Sequence, residues 1–399
     1  MKKLKILQVN KLYFPYIGGI EKVVQQIAEG LNDQTDMKVL VCQDKGIGLK
    51  EKINNVKVYR SPSLGLWGNL PFPYRFSSDL KKLSKDRDII HVHMPFPFAD
   101  MACLLSGYKG KIIVWWHSDI VRQKKLMKFY RPIMKQFLKR ADKIIVATEG
   151  HIKGSAELRG FREKCVIVPF GVDREVEKAA DQYVKLNSSQ YDTRSDDILG
   201  SINIEENQIS NTKQKEELIR FLFVGRLVYY KGCKHLLEAF SNLRGKVELN
   251  IVGTGPLEDE LKEMAIRLGI KSKVHFHGSV TDDELYKCYE KCDVFVLPSI
   301  EKSEAFGLVQ LEAMIYGKPV INTWLPSGVP YVSIHKETGL TVKPKNISEL
   351  EKAMRWMQYH PLERQEMGQK ARKRVKEVYN MDYMLDKVME VYEEVESGI

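Results

Sequence analysis

The chain has 399 residues, of which 43% are hydrophobic and 29% charged, with a formal net charge of +11. Those proportions are ordinary for a soluble globular protein, and the length suits two or three domains, each with its own core. No run of about 18 apolar residues occurs, so no transmembrane helix is expected, and no zinc-finger or RNP motif accompanies the positive charge, so nucleic acid is not the expected partner.

The first residues, Met1-Lys2-Lys3-Leu4-Lys5, have a charged start but no apolar core region or cleavage site. They read as the entry to a first strand instead of a signal peptide. Candidate strands follow at 5–9, 38–41, 57–60, 89–93, 111–116, 143–147 and 165–169. Most are continuous apolar runs, the pattern of parallel strands covered on both faces. Helical stretches alternate with them, which predicts a doubly wound α/β domain over 1–173. A second series at 220–224, 247–252, 273–276, 293–297, 319–321 and 340–342 predicts another over 218–380.

Between the two series, over 174–217, the pattern lapses. Residues 187–213 are rich in Ser, Asn, Asp and Gln with one aromatic, Tyr191. Such a segment buries little, and the reading is a mobile linker or surface insertion. After 380, Tyr383, Met384, Val388 and Tyr392 recur at helical spacing, so 381–399 reads as a C-terminal helix. The six cysteines are scattered, with most in or beside apolar segments, and read as free thiols in a reducing compartment. Cys288 and Cys292 lack a second pair at metal spacing, so structural zinc is not expected.

Residues 122–140 carry many cations, with Leu126, Phe129, Tyr130, Ile133 and Phe137 expected on another side of a helix that Pro132 should kink or split. A basic amphipathic segment suits anionic lipid headgroups. A domain helix with a solvated basic face fits as well, and the two readings are compatible.

The most informative stretch runs Ser303-Glu304-Ala305-Phe306-Gly307-Leu308 and on to Glu312. Glu304 falls in a turn after an apolar strand, and Glu312 inside the following helix. A strand, a small-residue turn and a helix start offer unpaired N–H groups to an anion, and a carboxylate beside them accepts hydroxyl hydrogen bonds. A phosphate plus a polyol describes a sugar nucleotide. Other signals also lie at strand ends, where open α/β sheets bind ligands. Gly18-Gly19 precedes a helix and permits close backbone approach, although a lone Gly-Gly pair is more often an ordinary turn. Arg226 and Lys231 flank the turn after the first strand of the second series, and alone would read as surface cations. His117 follows the apolar run 112–116, where a capping histidine is common. Gly253-Thr254-Gly255-Pro256 fails as a dinucleotide fingerprint because the third glycine is missing and Pro256 interrupts. His91, His93, His275 and His277 alternate within strands and read as core or edge residues rather than metal ligands.

Together these residues resemble the retaining glycosyltransferases of family four. The match rests on Glu304 and Glu312 with seven residues between them and Phe306-Gly307 after the first, on Gly225-Arg226 leading to Lys231-Gly232, and on Gly18-Gly19. It covers nearly the whole chain apart from the insertion. The resemblance implies the GT-B architecture, two Rossmann-like doubly wound domains facing across a cleft. An N-terminal acceptor domain and a C-terminal nucleotide-sugar domain are implied, with the last helix crossing back to the first.

It also implies the site. Arg226 and Lys231 would hold the donor diphosphate. Glu304 would bond sugar hydroxyls, and His117 would contact the transferred sugar. Phe306, Gly307 and Leu308 would bind the distal phosphate or sugar, Glu312 the ribose, and Gly253 and Pro256 would lie beside the base. Gly18 and Gly19 would face the diphosphate and the acceptor. No Asp-x-Asp motif sits at a plausible strand end, so no metal and no cofactor are expected.

His93-Met94-Pro95 and 116–123 look like the mannosyl- and rhamnosyl-transferring members that build bacterial surface polysaccharides. A hexose donor like GDP-mannose is favoured, a UDP-sugar next, with a lipid-linked glycan or glycolipid as acceptor. The expected location is cytoplasmic and peripheral on the inner membrane face. A sugar-nucleotide epimerase of the same fold, or a non-catalytic nucleotide- or membrane-binding scaffold, is the alternative.

Overall fold

The computed structural model describes residues 3–16, 18–67, 70–121, 124–198 and 218–398. They form two compact units: one of Met1–Gly171, Pro326–Gly328 and Met381–Ile399, the other of Val172–Leu325 and Val329–Asn380.

The first unit contains strands β1 (Lys5–Val9), β2 (Asp36–Cys42), β3 (Leu49–Ile53), β4 (Val56–Ser61), β5 (Ser63–Trp67), β6 (Leu70–Pro73), β7 (Ile89–Met94), β8 (Lys111–Trp116), β9 (Lys143–Val146) and β10 (Cys165–Ile167). Its helices are α1 (Gly19–Gly30), α2 (Phe76–Ser84), α3 (Pro97–Leu105), α4 (Lys124–Arg140) and α5 (Glu149–Gly154). Eight strands make one sheet in the order β10-β9-β8-β7-β1-β2-β4-β3, parallel except where β3 runs antiparallel to β4. The chain moves outward from β1 through β2 and returns on the other side at β7. The sheet's direction of winding therefore reverses between β1 and β7, and ligands of such sheets bind at the carboxyl ends of those strands.

The second unit opens with α6 (Arg174–Ile198) and contains β11 (Ile219–Val224), β12 (Val247–Val252), β13 (Val274–Gly278), β14 (Val294–Val296), β15 (Val320–Thr323) and β16 (Gly339–Val342). Its other helices are α7 (Cys233–Ser241), α8 (Glu258–Arg267), α9 (Asp282–Lys291), α10 (Val309–Ile315), α11 (Val329–Val332), α12 (Ile347–Tyr359) and α13 (Pro361–Val378). The sheet is parallel throughout, in the order β13-β12-β11-β14-β15-β16, with its reversal between β11 and β14. A last helix, α14 (Met381–Ser397), belongs to the first unit.

Strand alternation gives the first sheet two unlike faces. Leu7, Val9, Ile90, Val92, Ile112 and Val114 pack with Phe76, Ala99, Phe137 and other apolar side chains of α2, α3 and α4. The other face carries Gln8, His91, His93 and Trp115, and Tyr392 of α14 hydrogen-bonds to its polar groups.

Four expectations change. Residues from Arg174 to Ile198, expected as linker, form α6, which buries Val176 and Ala180 and pairs Asp181 with Arg372 and Lys376. That helical spacing was hidden by the polar composition around it. Beyond Ile198, the expected insertion lies outside the described residues. Pro132 does not split α4. Both Pro132 and Lys128 are exposed, so the Lys128 carbonyl that loses its N–H partner can bond water instead. Phe129 is 81% exposed among the cations of α4, not on its buried side, which holds Met134, Phe137 and Leu138. Finally, β3 and the separate β5–β6 hairpin were not anticipated, because their sequences are short, polar or interrupted by Gly and Pro.

Candidate active site

The sheet reversal in the second unit decides which loops meet. The carboxyl end of β11 leads through Gly225 to Lys231, and that of β14 leads through Ser299 to Glu304. Lys231 Nζ lies 2.6 Å from Glu304 Oε2, with side-chain exposures of 11% and 9%. Ser299 Oγ donates to the same carboxylate oxygen at 3.1 Å, and Thr323 Oγ1 donates to the Ser299 carbonyl at 2.6 Å. Burial disfavours the Lys231 cation, but the charge and hydrogen bond of Glu304 more than offset it and leave the lysine pKa raised. Lys231 is therefore a fixed cation, and Glu304 keeps Oε1 without a hydrogen bond among the described residues.

The turn between the two glutamates is held from below. Gly307 has φ 76°, and a Cβ there would sit 2.6 Å from Leu297 Cδ2. The Gln310 amide donates to the Phe306 carbonyl at 2.9 Å, and Asn322 donates to Gln310 Oε1 at 2.8 Å and to the Val329 carbonyl at 3.1 Å. This buried network fixes the path of Glu304 through Leu308. Glu312 receives a 2.7 Å hydrogen bond from the buried Tyr289 of α9, which orients one carboxylate oxygen.

The loops after β11, β12 and β13 are laced together. Gly253 N donates to Gly278 O at 2.7 Å, and Leu227 N donates to Thr254 O at 2.8 Å. Gly253, at φ 123°, lies so close to the Gly225 carbonyl that a Cβ would approach it to 2.1 Å, so only glycine fits. Arg226 and Pro256 are exposed on these loops, and Arg226 makes no ion pair among the described residues. A cavity of about 740 Å³ on this unit is lined by Arg220, Glu248, Asn250, His277, Ser279 and Val280 among others, and none of Gly253, Pro256, Phe306, Gly307, Leu308 and Glu312 lines it.

In the first unit, Gly18 stands at the start of α1 with the Glu21 carboxylate folded back over it, where a Cβ would meet Glu21 Oε2 at 2.2 Å. Lys11 Nζ lies 3.6 Å from Glu21 Oε1. Gly19 is the first residue of α1. His117, just past β8, is buried and stacks on Trp115 and Phe170 at centroid distances of 5.6 Å each. Burial, with the nearby His91, His151 and Lys11, holds its pKa well below the usual imidazole range. His117 is thus a neutral hydrogen-bonding group at pH 7. His91 and His93 lie fully in the core, while His275 and His277 are exposed on the edge strand β13. Among the described residues, no group of three His, Cys, Asp or Glu side chains is placed to hold a metal.

The structure therefore joins Glu304 to Lys231 directly and seats Glu312 on Tyr289. His117, Gly18 and Gly19 lie at the carboxyl edge of the other sheet. Lys11, Ser299, Gln310 and Tyr289 were missed in the sequence. Of these, only Gln310 stood inside a motif, and nothing local marked it as a buried anchor.

Residues 17–176 match Glycosyltransferase Family 4, and residues 204–374 match Glycosyl transferases group 1. Over 393 residues the chain is 30% identical to the O-antigen chain mannosyltransferase C of Escherichia coli, covering 98% of both sequences. The chain belongs to glycosyltransferase family 4. It is also 32% identical over 378 residues to the D-rhamnosyltransferase WbpZ of Pseudomonas aeruginosa, covering 94% of this chain and 92% of that one. Among solved structures, Anabaena HepE in complex with UDP aligns with a TM-score of 0.75 at 18% identity, over 98% and 100% of the two chains. At that identity the likeness speaks for the fold, and the two Rossmann-like units are those of a GT-B glycosyltransferase.

Proposed function

We propose that this glycosyltransferase moves a hexose, with retention, from a nucleotide-sugar to a lipid-linked glycan or glycolipid in surface-polysaccharide assembly. A GDP-mannose-like donor is favoured and a UDP-sugar comes next. The observation that carries the reading is the buried Lys231–Glu304 pair at the reversal of the second sheet, one group suited to a diphosphate and the other to sugar hydroxyls. The names of the two relatives, a mannosyltransferase of O-antigen chains and a D-rhamnosyltransferase, support the sugar and the pathway class.

In this mechanism the bond from the anomeric carbon to the diphosphate breaks first, and the electron pair leaves with the phosphate. Lys231 and Arg226 stabilise that growing charge, which favours the transition state over the bound donor. The acceptor hydroxyl then bonds to the anomeric carbon on the same face and gives its proton to a donor phosphate oxygen. Glu304 holds O3 and O4 of the sugar, Glu312 the ribose, and His117 the transferred sugar near its 6-position. Phe306, Gly307 and Leu308 meet the distal phosphate, and Gly253 and Pro256 lie by the base. Gly18 and Gly19, which permit close backbone approach, face the diphosphate and the acceptor. These cations take the place of a divalent ion, so EDTA should leave the rate unchanged.

The test is a donor panel with purified protein: GDP-mannose, UDP-glucose, UDP-galactose, UDP-N-acetylglucosamine and dTDP-rhamnose. One donor should raise the melting temperature and be slowly hydrolysed. Glu304→Gln should keep nucleotide binding within about twofold and lose hydrolysis by roughly 10²-fold, the scale of one oriented polar group. An isomerised sugar would identify an epimerase instead, and Glu304→Gln hydrolysing at the parent rate would remove Glu304 from the chemistry.

A lipid-linked acceptor also calls for a membrane surface. Among the described residues no helix is long and apolar enough to cross a membrane. Helix α4 presents Lys128, Phe129, Lys135 and Lys139 to solvent, a combination that suits anionic headgroups at about 1 kcal/mol per cation. The triple variant Lys128→Glu, Lys135→Glu, Lys139→Glu should keep the parent's melting temperature and lose sedimentation with vesicles containing phosphatidylglycerol. Equal sedimentation would return α4 to a solvated domain helix.

A further inference from the structure

We propose that Tyr392, Gln8 and His93 form a buried hydrogen-bond relay that fixes the tautomer of His117, so that His117 Nδ1 presents a lone pair to a hydroxyl of the transferred sugar. The proposal rests on the reading of His117 as a sugar-contacting residue and adds three positioning residues to it.

The relay crosses three adjacent strands on one face of the first sheet. Gln8 is on β1, His93 on β7, and His117 follows β8. Gln8 Oε1 lies 2.6 Å from His93 Nε2, and His93 Nδ1 lies 2.9 Å from His117 Nε2. From the other end, Gln8 Nε2 donates to the Tyr392 hydroxyl at 3.4 Å, and that hydroxyl lies 2.8 Å from His91 Nδ1. None of the four relay residues is more than 5% exposed.

The chemistry of each group sets the direction. A carboxamide oxygen only accepts, so His93 Nε2 carries the proton facing Gln8. The short distance suits N–H···O better than N–H···N. Burial keeps the imidazoles of His93 and His117 well below their usual pKa, so each carries a single ring proton. With that proton on Nε2, His93 Nδ1 is an acceptor. His117 Nε2 must then donate to it, which leaves His117 Nδ1 as a bare lone pair. That atom makes no hydrogen bond among the described residues. Tyr392 closes the far end: its oxygen accepts from Gln8 Nε2, and its own O–H donates to His91 Nδ1. His91 then carries its ring proton on Nε2, a buried atom with no partner among the described residues. The relay gives His93 a role that neither a packing residue nor a metal ligand would have.

The opposite polarity exists on paper. Turning the Gln8 amide over reverses every donor and makes His117 Nδ1 a donor, so the ring proton of His117 is the deciding observable. We would label histidine with ¹⁵N in the full-length protein and read long-range ¹H–¹⁵N correlations, with His117 identified by its loss in His117→Gln. A proton on Nε2 supports the relay; a proton on Nδ1 in the parent overturns it. His93→Phe keeps the stack but removes the acceptor. It should release His117 to a tautomer mixture and lower kcat by roughly 10- to 100-fold with the nucleotide Kd unchanged, as expected for misplacing a reacting group. His93→Asn puts an amide oxygen near the lost Nδ1 and should restore both the tautomer and most of kcat. His93→Phe with parent tautomer and parent kcat would sink the relay. Transfer at the parent rate by His117→Ala would instead remove His117 from the reaction, an outcome the tautomer measurement does not depend on.

Discussion

Lys231→Met is expected to lower the melting temperature and the transfer rate together, whereas Lys231→Met combined with Glu304→Leu should recover the first and not the second. The reason lies in what each change leaves behind. The pair is nearly buried, with Oε2 of Glu304 shared between Lys231 and Ser299. Removing only the lysine strands a carboxylate in a low-dielectric pocket, at a cost of roughly 3–5 kcal/mol in comparable buried pairs. Removing both charges replaces the pair with apolar volume, which is often neutral for stability. Catalysis follows another rule, since the cation is needed where negative charge develops. Its loss should cost roughly 10²–10³-fold in kcat, with or without Glu304. Thermal melts and donor hydrolysis on the two single variants and the double variant form a complete cycle. If the double variant melted as low as Lys231→Met alone, the pair would not be the source of the instability. The pH dependence has a definite sign. The folded pKa of Lys231 is raised, so its stabilising contribution is fully present below the unfolded lysine value and lost only as pH rises through the folded one. Melts of parent and Lys231→Met should therefore keep their separation through neutral pH and converge only under strongly basic conditions.

Much of this architecture is legible in the sequence because parallel strands buried on both faces leave unbroken apolar runs. The runs at β1, β8, β11 and β12 lie close to the observed strands for that reason. Strand β3 was missed because LKEKI sets three consecutive charges between two apolar residues at a sheet edge, and α6 because its few buried positions are separated by polar ones. The site divides in a similar way. Glu304, Glu312, Arg226 and Lys231 stand in motifs, so they can be found by spacing. The groups that orient them cannot. Ser299, Tyr289 and Asn322 reach the site through the sheet order, and a lone serine, tyrosine or asparagine carries no mark of the strand it will lie beside. The same holds for Gln8, whose polar side chain interrupts the apolar run of β1 and, like His91 and His93 on β7, lies on the face that α14 covers.

Deleting residues 381–399 is expected to abolish folding of the first unit, although the deleted helix carries none of the proposed donor contacts. Helix α14 buries Met381, Met384, Leu385, Val388, Val391, Tyr392 and Val395. At about 1.5–3 kcal/mol for each fully buried large apolar side chain, the loss is on the order of 10 kcal/mol. A denatured chain that is already partly compact reduces that figure, but it still rivals the roughly 5–15 kcal/mol that holds a whole domain folded. Polar contacts add specificity: the Gly171 N–H donates to Met384 Sδ at 3.2 Å, and the Tyr392 hydroxyl meets Gln8 and His91. Uncovering this face would also leave Gln8, His91 and His93 facing water from inside a parallel sheet, which normally has both faces covered. A point variant separates packing from chain length. Val388 is fully buried, so Val388→Asp places an unpaired carboxylate under α14 and should give insoluble protein or a severely lowered melting temperature. Exposed Glu393→Ala on the same helix should melt as the parent does. If the truncated protein instead stayed soluble and melted cooperatively near the parent temperature, the first sheet would be stable without α14. Tyr392 would then reach His91 from a helix that contributes position to the relay and little to the fold.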